Sequence, residues 1–325
     1  MSGRSRDGAG LYDDPDFLDG YRHLRRTGQG INDELEIPAM DAVLRTLPVA
    51  GARVVDLGCG EGGLAVRLAK AGAADVLAVD ASQQMLAAAV QHPRVRYQRA
   101  DLTTFDLPPG SADLVVSSMA LHYVENLDTL LARTAHWLSR SERKHPPGEA
   151  GSPPAARVVV PGGAEARPIE REPASSWGEA PRVGREPSSS GGEVTRVERE
   201  PSSSGGEVTR VGRGASSGGG EGLPRAGGAL VFSVEHPVMT AAVAVDCGVD
   251  DYADEGRRER TWFVEGVVKY HRTIGSIVGS LRRHGFQLEL IDEPLPTREQ
   301  AAAHPHLAIH RRRPPILLVA ARRTS

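Results

Sequence analysis

The sequence predicts an α/β fold in which short buried parallel strands alternate with amphipathic helices. Three observations predict it. The apolar run Val54-Val55-Asp56-Leu57 suits a strand covered on both faces, and it opens directly into Gly58-Cys59-Gly60-Glu61-Gly62-Gly63 and a helical pattern from Leu64 to Ala69. A second run, Asp75 to Val79, stops at the acidic Asp80 about twenty residues after the glycines. Two further strand patterns follow, Val95 to Arg99 with alternating character and Ala112 to Ser118 with a continuous apolar centre.

A strand, a tight glycine turn and a helix let backbone N–H groups approach a ligand with no Cβ in the way. The glycines alone fit G-x-G-x-x-G, which is a weak sign by itself. Asp56, two residues before Gly58, is more selective. A carboxylate there repels a pyrophosphate and attracts an ammonium group. The residues also admit a plain structural turn beside a solvated Asp.

Asp56-Leu57-Gly58-Cys59-Gly60-Glu61-Gly62 resembles D-x-G-x-G, the first motif of the class I S-adenosylmethionine-dependent methyltransferases. Their cofactor carries an α-amino group and a sulfonium. The resemblance implies a Rossmann-like sheet of order 3-2-1-4-5-7-6 with helices on both faces, the last two strands antiparallel at its edge. It implies S-adenosyl-L-methionine as cofactor and no metal.

Taken in order, Asp80 at the end of the second strand is placed to hold a ribose diol, a feature shared with dinucleotide enzymes. Ser82 reads as the cap of a helix from Gln83 to Gln91, with Met85, Leu86, Ala89 and Val90 on its apolar face and His92-Pro93 as its stop. Asp101 follows the third strand. In the family such an Asp accepts the adenine amine and its neighbour, here Leu102, packs near the ring; a lone Asp there is otherwise a turn former. The fourth strand continues into Ser118-Met119-Ala120-Leu121-His122-Tyr123, the segment that underlies the cofactor in the family. Leu127, Leu130, Leu131, Thr134 and Leu138 then line one face of a helix. The resemblance thus implies cofactor contacts at Tyr21, Asp56, Gly58, Cys59, Gly60, Asp80, Ala81, Met85, Asp101, Leu102 and Ser118.

Composition bounds the partners. The 325 residues carry a formal charge of −3 and two cysteines, Cys59 and Cys247. Two thiols make no disulfide framework, nothing near Met1 resembles a signal peptide, and no apolar stretch reaches membrane-span length, so the expectation is cytoplasmic. Mild acidity leaves no electrostatic footprint for nucleic acid.

Residues 140–226 break the pattern. Arg171 to Gly184, Arg185 to Glu198 and Arg199 to Gly212 are three copies of a fourteen-residue unit rich in Pro, Ser and Gly, with Trp177 the one aromatic. Such a chain buries too little apolar surface to offset an ordering cost of roughly 1–2 kcal/mol per residue. The expectation is a disordered insertion in one methyltransferase domain, formed by 53–139 and 227–325. After it, Ala229 to Val234 reads as the fifth strand, and Gly285 as the end of a helix that starts at Ile274. The resemblance implies an N-terminal lid in residues 1–52 and a substrate cap in 238–270.

The acceptor side is less legible. In the preamble Tyr12, Phe17, Tyr21, Arg22, Arg25 and Arg26 offer aromatic and basic groups; Tyr21 or Arg26 is suited to the cofactor's carboxylate. A helix follows from Ile37 to Leu47. Three histidines, His122, His236 and His271, fall near the expected pocket, and each is either a general base or a structural histidine. No N-P-P-[YF] follows the fourth strand, which disfavours amino-methylating enzymes of DNA or protein glutamine. The reading is methyl transfer to O or N of a small metabolite. Two alternatives stay open: a cofactor-binding regulatory or scaffold protein without turnover, and an NAD-dependent oxidoreductase, which leaves Asp56 and Asp101 unexplained.

Overall fold

The structure, a computed structural model, describes residues 8–28, 30–139, 227–243 and 249–324. The repeat region expected to be an insertion lies outside the described residues, as does Cys247. Seven strands form one sheet: β1 (Arg53–Leu57), β2 (Asp75–Asp80), β3 (Val95–Arg99), β4 (Leu114–Ser117), β5 (Ala229–Glu235) and, after a hairpin of β6 (Gly256–Trp262) and β7 (Val264–His271), β8 (Phe286–Asp292) and β9 (Ile316–Arg323). The sheet order is β3-β2-β1-β4-β5-β9-β8. The first five strands run parallel, and β9 is antiparallel to both neighbours. With the hairpin left out of the count this is the expected 3-2-1-4-5-7-6.

Both faces are covered, which is why the central strands read as unbroken apolar runs. On one face α2 (Ile37–Leu44) and α3 (Gly63–Lys70) bring Met40, Leu44, Leu64 and Leu68 against Val54, Val116 and Val231. On the other, α5 (Leu127–Trp137) and α6 (Ile274–Arg283) bring Leu127, Leu130, Leu131, Ile277 and Leu281 against Val55, Val115 and Leu230. Each such side chain contributes about 1.5–3 kcal/mol by leaving water. Asn126 caps α5 by accepting Thr129 N–H, and Thr273 caps α6 by accepting Ser276 N–H. Gly285, with φ of 69°, ends α6 as expected.

Two helices are shorter than their sequence patterns. The helix expected from Gln83 to Gln91 is α4, Gln83–Ala87. Val90 is pulled out of it: its N–H donates to Glu61 O in the glycine turn, and its carbonyl accepts the Tyr97 hydroxyl at 2.6 Å. Val90 is accordingly 54% exposed, not part of an apolar face. The helix expected to run to Leu47 stops at Leu44, and its first residues follow a wider π turn over Asn32–Glu36. The described chain on either side of the repeat region meets directly, with Gly228 N–H donating to Leu138 O.

Candidate active site

The carboxyl ends of β1, β2, β4 and β5 lie side by side, and the turn after β1 is shaped by its glycines. Gly58, Gly60 and Gly62 all take left-handed φ, at 71°, 54° and 82°. A Cβ on Gly58 would stand 2.2 Å from the Ala120 methyl, and one on Gly62 would stand 2.0 Å from the Tyr97 hydroxyl. A Cβ on Gly60 would meet nothing within 4 Å. The turn is thus packed at both ends and open in the middle.

Three acidic groups lie at these strand ends. Asp56 is 1% exposed, and neither of its carboxylate oxygens meets a partner in hydrogen-bond geometry, the backbone N–H of Ala65 being a nearby donor. Burial, reinforced by the charge of Asp80, pushes its pKa up to about 7. Asp80 is half-buried. Its Oδ2 accepts Gly60 N–H at 2.8 Å and its Oδ1 accepts Ser82 N–H at 2.9 Å. Burial raises its pKa and those N–H groups moderate the rise. Glu36, which carries no mark in the sequence, is also 1% exposed. Its Oε1 accepts the hydroxyls of Ser118 (2.9 Å) and Ser233 (2.7 Å), while Oε2 has no partner.

The N-terminal helix α1 (Pro15–Thr27) crosses beside these strand ends. The Ser82 hydroxyl lies 2.6 Å from Asp13 Oδ1, and Arg22 pairs with Glu61 of the glycine turn at 2.9 Å. Tyr21 sits in an aromatic cluster with Tyr12, Phe17 and Trp262, whereas Arg26 is exposed. The tip of the β6–β7 hairpin rests on α1. Phe263 packs on Phe17 with ring centroids 5.6 Å apart, and a Cβ on Gly20 would clash with its ring at 2.8 Å.

On the β4–β5 side, Lys269 of β7 is almost fully buried and forms an ion pair with Glu235 at 2.8 Å. Its ammonium lies 4.8 Å from the Trp262 ring centre and 5.9 Å from that of Tyr123. The three histidines separate here. His236 accepts Val238 N–H on Nδ1 and bonds Glu293 through Nε2 at 2.8 Å. His271 bonds the Thr240 hydroxyl on Nδ1 and Tyr252 O on Nε2. His122 uses only Nδ1, which accepts Glu235 N–H at 3.2 Å, so the proton of the neutral ring belongs on Nε2. Burial and the charges of Lys269 and Arg272 hold its pKa well below the usual range.

A solved S-adenosylmethionine dependent methyltransferase from Mesorhizobium loti is 30% identical, spans 90% of this chain and all of its own, and superposes with a TM-score of 0.58. The chain belongs to the S-adenosylmethionine-dependent methyltransferases. A family model described as a methyltransferase domain matches residues 54–141 of this methyltransferase. A putative methyltransferase from Listeria monocytogenes, 23% identical over 90% of this chain and 99% of its own, shares the fold with a TM-score of 0.57. The trans-aconitate 2-methyltransferase of Delftia acidovorans is 41% identical over 101 residues, 30% of this chain and 37% of that protein.

The residues of this methyltransferase fit the cofactor. Orphaned Asp56 oxygens suit an ammonium, the opening at Gly60 leaves room, and half-buried Asp80 faces the same turn. Cys59 is packed beside them and burial pushes its thiol pKa up, so it lines the turn as a thiol. Ala81 is half-buried, and Met85 is buried under the Ser82 cap. Asp101 is exposed, with Oδ1 accepting Thr103 N–H, and the half-buried Leu102 packs against the main core. Glu36 and Lys269 join the site without having been expected there, and Glu235 stands at the carboxyl end of β5. Two surface grooves, about 420 Å³ along Glu34, Pro38 and Glu293 and about 380 Å³ along His136 and Arg283, include none of Asp56, Asp80, Glu36 and Lys269.

Proposed function

We propose that the protein transfers a methyl group to an oxygen or nitrogen of a small metabolite, with the acceptor lying toward Tyr123, Trp262 and Lys269. The observation that carries this reading is the closure of α1 and the β6–β7 hairpin over the strand ends through Phe17, Trp262 and Phe263. A site covered from two sides suits a small acceptor better than a polymer. In this reading residues 1–52 are the lid, 238–270 the cap and 140–226 an insertion in the domain sequence. The Delftia relative, named for a small acid acceptor, points the same way.

S-adenosylmethionine supplies an electrophilic methyl on its sulfonium. The chain supplies position. Asp80 and the glycine turn orient the nucleoside, Asp56 and Tyr21 face the amino-acid end, and Ser118 and Leu102 border the remainder. Neutral His122 presents an N–H on Nε2, a donor for an acceptor's oxygen rather than a proton acceptor. With His236 and His271 bonded at both nitrogens, the nucleophile brings its own lone pair, and placement carries the rate.

The test is a transfer assay with methyl-tritiated cofactor, offered a small-molecule extract, total nucleic acid and denatured protein separately. Label entering the small-molecule fraction is expected. Label confined to either polymer would overturn the reading.

A further inference from the structure

We propose that Glu36 is a second carboxylate for the ammonium at the methionine end of the cofactor, acting opposite Asp56; this rests on the cofactor placement given above. Sheet register sets the geometry. Asp56 pairs with Val116 on β4, and Val116 pairs with Val231 on β5. Partners in adjacent strands project from the same face, and so do residues two positions on. Ser118 and Ser233 therefore stand on the face of Asp56, one pleat repeat closer to the carboxyl edge. Glu36 is delivered to that face by the start of α2, whose Met40 and Leu44 pack with Val54, Val116 and Val231. Its Oε1 is fixed there by the two serine hydroxyls.

What remains is three carboxylate oxygens with no partner in hydrogen-bond geometry, Oε2 of Glu36 and both oxygens of Asp56, the last supported only by the nearby backbone N–H of Ala65. Each residue is 1% exposed. Burying such oxygens unpaired is costly, and the two side chains also repel one another. Nearby cations are already engaged, Arg67 with Asp41 at 3.1 Å and Arg25 with Asp33 at 3.0 Å. A group that satisfies the pair needs a positive charge and several donors within a small radius. An ammonium has three N–H donors and one charge. Because Glu36 belongs to the N-terminal segment, the same contact ties that segment to the sheet when cofactor binds.

A purely structural Glu36 would only anchor α2 through the serines, and two ligands separate the roles. The full chain and its Glu36→Gln variant are titrated with S-adenosylhomocysteine and with 5′-methylthioadenosine, which has the nucleoside but no amino acid. The amide keeps a carbonyl for the serines and loses the charge. S-adenosylhomocysteine affinity should fall about ten- to a hundredfold, as for loss of a charged hydrogen bond, while methylthioadenosine affinity stays within about twofold. Should the Gln variant not fold, Ser233→Ala, which removes one anchor of Glu36, should show the same selective loss in smaller degree. Equal losses for both ligands, or unchanged S-adenosylhomocysteine binding, would overturn the proposal. A wild-type protein that binds neither ligand would instead remove the cofactor placement beneath it.

Discussion

Asp80 accepts the backbone N–H of Gly60 at 2.8 Å, so the acidic end of β2 holds the glycine turn of β1 in shape. Its other oxygen accepts Ser82 N–H at the start of α4. One side chain thereby fixes two loops beside the nucleoside position. Asp80→Ala should weaken S-adenosylhomocysteine binding by about ten- to a hundredfold or more, since charged hydrogen bonds of roughly 1.5–3 kcal/mol are lost. Calorimetric titration of the folded variant checks this, and unchanged affinity would remove Asp80 from the site.

Asp56 makes stability and cofactor affinity depend on pH in opposite senses. Its pKa is raised from 3.8 to about 7 in the folded protein. Between those values the folded state holds a proton that the unfolded chain has released, so this group's contribution falls as pH rises. Asp56→Asn should therefore be close to wild type in stability near pH 4. Near pH 8 it should be the more stable by on the order of a few kcal/mol, at about 1.4 kcal/mol for each pH unit between the folded and unfolded pKa. S-adenosylmethionine affinity of the wild type should climb through pH 7 as the carboxylate ionises, and the Asn variant should lack that rise. Denaturant melts from pH 4 to 8 and titrations from pH 5 to 8 test both. A stability difference independent of pH would show that Asp56 does not titrate in this window.

The histidines should divide by experiment as they do by hydrogen bonding. His236→Ala leaves Val238 N–H without its acceptor and His271→Ala strands the buried Thr240 hydroxyl, and each should cost about 1–3 kcal/mol. His122 should give no inflection between pH 6 and 8 in the rate profile, because it is already neutral there. Its depressed pKa means that stability is lost as pH drops below the ordinary value near 6.5, and His122→Leu should flatten that acid-side slope. A rate inflection near pH 7 that disappears in the Leu variant would restore His122 as a base.

Leu138 and Gly228 already touch, so the chain between them closes a loop and spans no gap. Deleting Ser141 to Glu221 should leave a folded, cofactor-binding protein. Shortening a loop closure returns only about 0.6 kcal/mol per halving, so the melting midpoint should stay level or rise slightly. A fall of many degrees would mean that the deleted residues pack on the sheet.

Most of the sheet was legible because its signals are local. Val54 to Leu57, Val76 to Val79 and Leu230 to Phe232 are the apolar runs that parallel strands with two covered faces require, and Asp56, Gly58, Gly60 and Asp80 carry meaning by spacing alone. The early end of α4 was not legible. It depends on Glu61 and Tyr97 capturing Val90, contacts set by the folded turn and the neighbouring strand. Glu36 and Lys269 were hidden for a similar reason, since a charged residue in an amphipathic stretch looks solvated until the fold buries it. The packing of Gly20 under Phe263 likewise exists only once the hairpin folds back onto α1.

A crystal structure of the full chain grown with S-adenosylhomocysteine tests the central claim most directly. The account predicts density over Gly58 to Gly62, with the ribose hydroxyls at hydrogen-bond distance from Asp80 and the amino group between Asp56 and Glu36. Density at another edge of the sheet, or a ribose turned away from Asp80, would contradict it.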